Sequence, residues 1–319
     1  MQIFHFHRST VPPFHSPHPL MNTPNYRKYL DPTTISKLGR LDLKARLVVE
    51  GFIAGLHRSP YHGFSVEYAE HRQYMPGDPI KHVDWKAFAK SDRFYIKEYE
   101  EETNLKAYIF LDVSASMGYT SGGISKLEYG KYLAAALTYL MLTQQDSVGL
   151  ILYDERIRQY IPPRSINNHL HTILQHLHQA EPGSTTGSRA TFHALAERIT
   201  RRGLIMIISD LFDNPEDIVS SIKHFRHRKH EVIVFRLLDP AEQQFSFERP
   251  IKFRDMETGE EVFTHPREIR DEYLAQLQEQ NELYSRVCRD NAADYLTLDT
   301  ATPFDYALLS FLSKRAKLG

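Results

Sequence analysis

Cysteine is almost absent from this sequence, since Cys288 is the only one among 319 residues. A lone thiol excludes an internal disulfide, and low cysteine usage is typical of a reducing compartment. Net charge is also nearly absent, at −1 with neutral histidines. That value excludes a chain whose overall charge attracts nucleic acid. We therefore expect a cytoplasmic protein that has no nucleic-acid partner.

Long hydrophobic runs are missing as well. The longest, LAAALTYLML at 133–142, is far shorter than the roughly 18–20 apolar residues that cross a bilayer. We predict that it forms a buried helix and that the chain has no membrane span. The sequence also has no G-x-x-x-x-G-K-[ST] phosphate-binding loop. We therefore do not expect an ATPase, and any work driven by ATP must come from a partner.

The first 20 residues contain four prolines and four histidines but no apolar run. This composition is unlike a secretory signal and predicts a disordered tail over residues 1–30. Met21 offers a second start of translation, so Met1 and Met21 both remain open as the first residue.

The remaining chain divides into two regions with different patterns. Residues 31–103 combine a predicted helix at 31–56 with an aromatic-rich segment, broken by turns, that we interpret as a small β-rich unit. From residue 104 to residue 319, apolar strands alternate with amphipathic helices. Alternation of this kind indicates a mostly parallel sheet with helices on both faces. We predict an α/β, doubly wound domain there.

Aspartates stand at the carboxyl ends of several predicted strands, which is where ligands bind in doubly wound sheets. One such residue is weak evidence for a site, because aspartate is common in turns and helix caps. The positions are Asp112, Asp154, Asp210, Asp239 and Asp299.

The sequence DVSAS places Asp112, Ser114 and Ser116 directly after the first strand of the predicted domain. One carboxylate and two hydroxyls on a tight turn can converge on one point, and hard oxygen ligands of this kind suit Mg²⁺. The alternative interpretation is that one of these side chains caps the next helix.

Two further loops favour the metal. The small-residue loop EPGSTTGS (181–188) precedes a predicted helix and offers Thr185 and Thr186. Asp210 directly follows the most apolar predicted strand. Three loops at strand ends or helix starts would then supply a coherent set of oxygen ligands.

The order of these residues resembles the metal-ion-dependent adhesion site (MIDAS) of von Willebrand factor A domains. From about Leu43 to the C-terminus, the chain also resembles a bacterial family, domain-of-unknown-function family number fifty-eight. Its members resemble von Willebrand factor A domains and are often encoded beside MoxR-type AAA+ ATPases. The matching stretches are GFSVEYAEHRQYMPGDPIKHVDWK, YIKEYEEETNLKAYIFLDVSASM, LAERITRRGLIMIISDLFD, HEVIVFRLLDP and FRDMETGEE.

The resemblance implies a von Willebrand factor A-like, Rossmann-like core with a small β insertion before it. It also implies a bound Mg²⁺, or Mn²⁺ or Ca²⁺ in its place, with Asp112, Ser114 and Ser116 as ligands. Thr186 and Asp210 would bind the metal directly or from the surrounding shell. The family's spacing favours Thr186 over its neighbour Thr185, which stays open.

The segment AEHRQYMPGDPIKHVDWK (69–86) is dense in charged residues and contains the only tryptophan. We interpret it as an internal brace between the β-rich unit and the core, and a docking surface rich in Arg and Trp is the alternative. The family often shows GDD followed by Arg where this chain has GDP (77–79) and Lys81. Any role of those positions is therefore in doubt.

Two enzyme classes are disfavoured by single positions. A haloacid-dehalogenase-like phosphatase needs a second aspartate two residues after its nucleophile, where this chain has Ser114. A serine hydrolase needs a G-x-S-x-G turn, and SASMG (114–118) lacks the first glycine.

We therefore expect a non-enzymatic interaction module whose metal accepts an acidic side chain from a protein partner. The partner implied by the resemblance is a MoxR-type AAA+ ATPase, with this chain as adaptor or co-chaperone. Two alternatives remain open: a metal-dependent hydrolase that uses the same site, and a structural scaffold whose site is empty.

Overall fold

The computed structural model describes residues 40–56, 72–73, 95–96, 105–166, 168–183, 188–254 and 261–315. The predicted tail (1–30) and almost all of the predicted β-rich unit lie outside these ranges. Within them, no helix combines the length and apolar character needed to cross a membrane.

A six-stranded sheet forms the centre of the molecule, in the order β10-β7-β6-β3-β4-β5. The strands from β10 to β4 are parallel, and β5 pairs antiparallel with β4 at one edge. This confirms the predicted α/β class and the mostly parallel sheet. The strands are β3 (Lys106–Asp112), β4 (Ser147–Tyr153), β5 (Ile157–Arg164), β6 (Leu204–Ser209), β7 (Glu231–Leu238) and β10 (Asp294–Asp299).

The central strands are apolar on both sides because helices cover both faces. Every residue of β6 is buried, as the run of apolar residues at 204–208 predicts for a central parallel strand. Alternate residues of β3 contribute to separate cores: Ile109 and Leu111 face one, and Tyr108 and Phe110 face the other.

Helices lie on both faces of the sheet. The first face carries α1 (Leu41–Leu56), α2 (Lys126–Thr143), α3 (Asn168–Gln179) and α8 (Asp305–Arg315). The second carries α4 (Ser188–Arg198), α5 (Pro215–His227) and α7 (Pro266–Asp290). Helices α2 and α5 follow the neighbouring strands β3 and β6 but lie on opposite faces. The crevice of a doubly wound sheet therefore lies at the carboxyl ends of β3 and β6.

Helix α2 packs unusually close to the sheet beside this crevice. A Cβ at Gly130 would stand 2.8 Å from Leu111 Cδ1, so a larger residue would require the Leu111 side chain to move. The first turns of α2 therefore pack closely on β3.

Helix α1 belongs to the same core, although the sequence groups it with the N-terminal region. Its residues Ala45, Val48 and Val49 are buried with residues of the sheet and α2. Lys44 is also buried, and its ammonium group donates to Tyr132 Oη on α2 at 2.6 Å. The structure describes this helix from Leu41, so the predicted start at residues 31–39 and its cap lie outside the described residues.

Smaller elements flank the sheet. Strands β1 (Arg72–Gln73) and β2 (Tyr95–Ile96) form a two-residue antiparallel pair. Between β7 and α7, the chain forms the short helix α6 (Pro240–Gln244) and an antiparallel hairpin of β8 (Ile251–Arg254) and β9 (Glu261–Thr264). The sequence patterns did not predict α6 or this hairpin, whose strands have only four residues each.

Candidate metal site

The D-x-S-x-S turn leaves β3 at the crevice, as the sequence predicts. Its first residue, Asp112, ends β3, and a 3₁₀ turn begins at Ala115. The backbone N–H of Ser114 donates to Asp112 Oδ1 at 2.8 Å. Ser114 Oγ and Ser116 Oγ lie 3.1 Å apart. The carboxylate and both hydroxyls thus share one turn, and we call these three residues the candidate metal site.

The Asp112 carboxylate is buried, with 2% of the residue exposed. Its Oδ2 accepts a hydrogen bond from Ser209 Oγ at 2.6 Å, and Ser209 Oγ itself accepts from Leu211 N at 2.9 Å. No cationic side chain of the described residues forms an ion pair with it. Burial, and then repulsion from Asp210, raise the pKa of Asp112 to about 7. A buried carboxylate in this state calls for either a proton or a cation.

Asp210 lies beside Asp112 but has a different environment. It is fully buried just after β6, and its Oδ2 accepts from the Lys126 ammonium group at 2.9 Å. Its other oxygen, Oδ1, accepts from Phe212 N at 3.3 Å. Leu211 follows with φ of 56°, a left-handed conformation that is rare for a branched residue and typical of strained turns at functional sites.

Lys126 joins three elements of the fold. It is the first residue of α2 and is fully buried, and its ammonium group also donates to Glu242 Oε1 on α6 at 2.7 Å. Burial by itself lowers the pKa of Lys126, but Asp210 and Glu242 outweigh it and the net shift is upward. The ammonium group therefore stays charged. We call Lys126, Asp210 and Glu242 the Lys126 triad.

The triad continues into the loop after the D-x-S-x-S turn. Glu242 Oε2 accepts from Asp239 N at 2.8 Å, which closes a capping box at the start of α6. Asp239 Oδ2 in turn accepts from Ser121 N at 2.8 Å. These bonds tie the loop before α2 to the end of β7.

Arg236 is a second buried cation near this crevice. Its guanidinium group donates to the Asp210 carbonyl oxygen at 3.1 Å and to the side-chain oxygens of Gln280 and Asn281 at 2.8 Å each. All three acceptors are neutral, so the charge of Arg236 is not cancelled by these bonds. It adds positive charge behind Asp210.

The donors of the candidate metal site fit a hard divalent cation. Adjacent oxygens around an octahedral Mg²⁺ with bonds of 2.0–2.1 Å are about 3 Å apart, close to the 3.1 Å between Ser114 Oγ and Ser116 Oγ. The charges point the same way, because Asp112 and Asp210 lie beside each other and only Asp210 forms an ion pair, with Lys126, among the described residues.

Within the described residues, no group of three or more His, Cys, Asp and Glu side chains is arranged to hold a metal. The fit therefore depends on hydroxyl oxygens besides the Asp112 carboxylate. Thr185 and Thr186 lie outside the described residues, so their predicted part stays a prediction. Gly183, two residues before Thr185, donates its N–H to Val113 O at 2.5 Å.

A cavity of about 350 Å³ opens beside the turn. Val113 and Gly183 line it, together with Arg158, whose guanidinium group forms an ion pair with the buried Asp154. A side chain at Gly183 would collide with the Asp154 carboxylate. The predicted strand-end residue Asp154 therefore has a structural partner, unlike Asp112.

Comparison with known proteins agrees with the sequence resemblance. The family model "Protein of unknown function DUF58" matches residues 70–283, which is more than half of the chain. The chain belongs to this family. The D-x-S-x-S turn and Asp210 both lie inside the matched range.

This DUF58 chain is also similar to individual proteins. An uncharacterized protein of Mycobacterium tuberculosis (strain H37Rv) is 25% identical over 291 residues, which cover 90% of this chain and 91% of the relative. The conserved hypothetical protein BatB of Bacteroides thetaiotaomicron is 20% identical, with a TM-score of 0.46 over 67% of this chain and 99% of that one. The SpRpn10 VWA domain is 9% identical, with a TM-score of 0.34 over 64% and 93% of the two chains.

Sequence reasoning missed several residues around the site of this DUF58 chain. Ser209 was detectable, because it stands beside Asp210 at a strand end and its hydroxyl could reach a neighbouring strand. Lys126 carried a weaker signal: a lysine at the first position of a helix is unfavourable for the helix dipole and calls for an explanation. Glu242 and Arg236 gave no signal, because only the tertiary fold brings them to Asp210.

Proposed function

We propose that this chain is a non-enzymatic protein-interaction module that works through a divalent cation, Mg²⁺ or Mn²⁺ or Ca²⁺ in its place. Asp112, Ser114 and Ser116 would hold the ion, Thr186 would complete the set, and Asp210 would act from the adjacent triad. The observation that carries the proposal is the buried Asp112 carboxylate, which lacks an ion-pair partner among the described residues and shares its turn with two converging hydroxyls.

The bound ion would leave room for a ligand from outside. Mg²⁺ takes about six oxygens and is usually bound by only one or two protein carboxylates. With one carboxylate from Asp112 and neutral hydroxyls beside it, the ion keeps positive charge and can accept an acidic side chain of a partner protein. What the ion supplies is Lewis acidity toward that carboxylate.

The hairpin that follows β7 and α6 offers a surface that suits protein contact. The β8–β9 hairpin follows the carboxyl end of β7, and it exposes Val262 and Phe263 on β9. Phe253 on β8, the cross-strand partner of Val262, stacks on the buried Phe245 with ring centroids 5.7 Å apart, which anchors the hairpin. Exposed apolar residues of this kind are typical of interfaces.

The proposed partner is a MoxR-type AAA+ ATPase in the cytoplasm, with this chain as adaptor or co-chaperone. This part of the proposal rests on the family resemblance. A hydrolase that uses the same ion is the weaker alternative, because it needs a free general base. The neighbouring carboxylate, Asp210, binds the Lys126 ammonium group, as does Glu242.

The test is a pull-down of a purified MoxR-type ATPase from the same organism by the full chain. We expect capture in Mg²⁺, loss of capture in EDTA, and loss with Asp112→Ala. Lys223→Met, a charge change at an exposed position of α5, should capture as well as wild type. Equal capture by Asp112→Ala and wild type would exclude the metal-mediated contact.

A further inference from the structure

Lys126 occupies a position that is energetically unfavourable for a lysine. Its ammonium group is fully buried, and it extends from the first residue of α2, where the helix dipole is positive. A buried ammonium is costly unless it is paired and hydrogen-bonded. Its two carboxylate partners, and the Phe212 ring 4.8 Å away, account for its stability there but not for its position.

The position of Lys126 matters because Asp210 is next to Asp112. Among the described residues, these two carboxylates end or directly follow the two strands that flank the crevice, and they repel each other. Without Lys126, both would be free to attract the same cation. With it, one Asp210 oxygen binds an ammonium group and the other binds a backbone N–H.

We propose that Lys126 is a positioning residue that keeps Asp210 as the partner of an ammonium group rather than of the metal, and that it thereby lowers the affinity of the candidate metal site for its cation. This inference rests on the proposed function. Its consequence is an ion that is held by one protein carboxylate and depends on a second carboxylate, from the partner, for tight binding.

Glu242 acts against Lys126 in this arrangement. It shares the ammonium group with Asp210, so it reduces the positive charge that Lys126 directs at the site. Removal of the lysine charge and removal of the glutamate charge should therefore change metal affinity in opposite directions. A purely structural role predicts the same direction for both, because each substitution damages the same triad.

The experiment is calorimetric titration of the full chain with Mn²⁺ alone, for wild type, Lys126→Met, Glu242→Gln and Asp112→Ala. A unit charge close to a divalent ion is worth enough that we expect Lys126→Met to bind Mn²⁺ at least about tenfold more tightly. By the same reasoning, Glu242→Gln should bind Mn²⁺ at least about threefold more weakly than wild type. Lys223→Met, which removes an exposed lysine of α5, is the matched control and should equal wild type.

The outcomes separate this inference from the proposed function. Binding by wild type that is lost in Asp112→Ala, with affinity unchanged or weaker in Lys126→Met, overturns the inference and leaves the metal site intact. Absence of binding in all variants overturns the metal-dependent function itself, and the inference with it. If Lys126→Met does not fold, Glu242→Gln decides, since an affinity equal to or above wild type contradicts the opposing roles of the two side chains.

Discussion

Two carboxylates at the crevice, Asp112 and Asp210, have the same burial and neighbouring strands but different partners. Asp210 is bound by the Lys126 ammonium group, whereas Asp112 accepts from hydroxyl and backbone N–H donors and forms no ion pair within the described part of the chain. Burial alone would give both the same role. The comparison teaches that the partner of a buried carboxylate, rather than its burial, indicates whether it is built to hold a cation from outside.

The other strand-end aspartates refine this distinction. Asp154 forms an ion pair with Arg158, whereas Asp239 caps α6 and accepts from Ser121 N. Asp299 accepts from Ala301 N and the Thr302 hydroxyl within a turn. Neutral donors are therefore common to Asp112, Asp239 and Asp299, and Asp112 differs in having the Ser114 and Ser116 hydroxyls on its own turn and the Asp210 carboxylate beside it.

We expect the largest effect on stability from removal of Lys126, the cationic partner of Asp210. Lys126→Met leaves the buried Asp210 and the partly buried Glu242 without their cation, and breaking a buried ion pair in this way costs about 3–5 kcal/mol. We expect a loss of that size in the free energy of unfolding, measured by urea titration in EDTA. Lys223→Met should stay within about 0.5 kcal/mol of wild type. A Lys126→Met protein as stable as wild type would show that the triad contributes little.

The second test supplies the missing partner of Asp112. A cation at 100 times its dissociation constant stabilises the folded state by about 2.7 kcal/mol. For a domain of 150–250 residues, each kcal/mol raises the midpoint by roughly 2–4 °C. We therefore expect thermal unfolding of wild type to shift upward by several degrees between EDTA and excess Mg²⁺ or Mn²⁺.

The same measurement on Asp112→Ala should show no such shift, because the ionised ligand is gone. A shift of equal size in this variant would place the metal elsewhere. The comparison between the two carboxylates would then lose its functional meaning.

The third test uses pH in EDTA. The pKa of the Asp112 carboxyl is about 7 when folded, against an ordinary 3.8, so the folded state binds more protons between these values. The contribution of Asp112 to stability is therefore fully present below about pH 3.8 and is lost as pH rises to about 7. In Asp112→Asn this part of the pH dependence should vanish. A wild-type profile that matches the variant across this window would contradict the assignment.

The smallest effect on stability concerns the exposed surface of the β8–β9 hairpin. Phe263 is 69% exposed, so Phe263→Ser should change the free energy of unfolding by no more than about 0.5 kcal/mol. We expect it to weaken capture of the MoxR-type ATPase while Mn²⁺ affinity stays at the wild-type value. Unchanged capture would place the partner on another surface.

The sheet and most of its helices could be predicted because local patterns dictate them. The apolar run at 204–208 predicts a central strand, and Pro215 predicts the start of α5, which the Asn214 side chain caps. Both are confirmed. The β8–β9 hairpin escaped prediction because its four-residue strands are too short for a clear alternation, and its Phe253 packs on two rings of the segment just before β8, Phe245 and Phe247.

Only the residues of the D-x-S-x-S turn itself could be predicted for the candidate metal site. The D-x-S-x-S spacing places Asp112, Ser114 and Ser116 on one turn, and the structure brings them together there. The sequence could not reveal that Asp210 is already bound to an ammonium group. Lys126 and Asp210 are 84 residues apart in sequence, and Glu242 lies later still, on α6. The ion pairs among these three side chains therefore form only once the sheet has folded.

Helix α1 has a practical consequence for anyone who divides this chain. The sequence suggests a boundary near residue 104, yet Ala45, Val48 and Val49 are buried in the same core as residues of α2. A fragment that begins at residue 104 would expose the apolar residues that α1 covers, and that exposed surface would favour aggregation. The shortest piece that stays dispersed at high concentration should therefore include Leu41–Leu56, supplied either in the same chain or as a separate peptide.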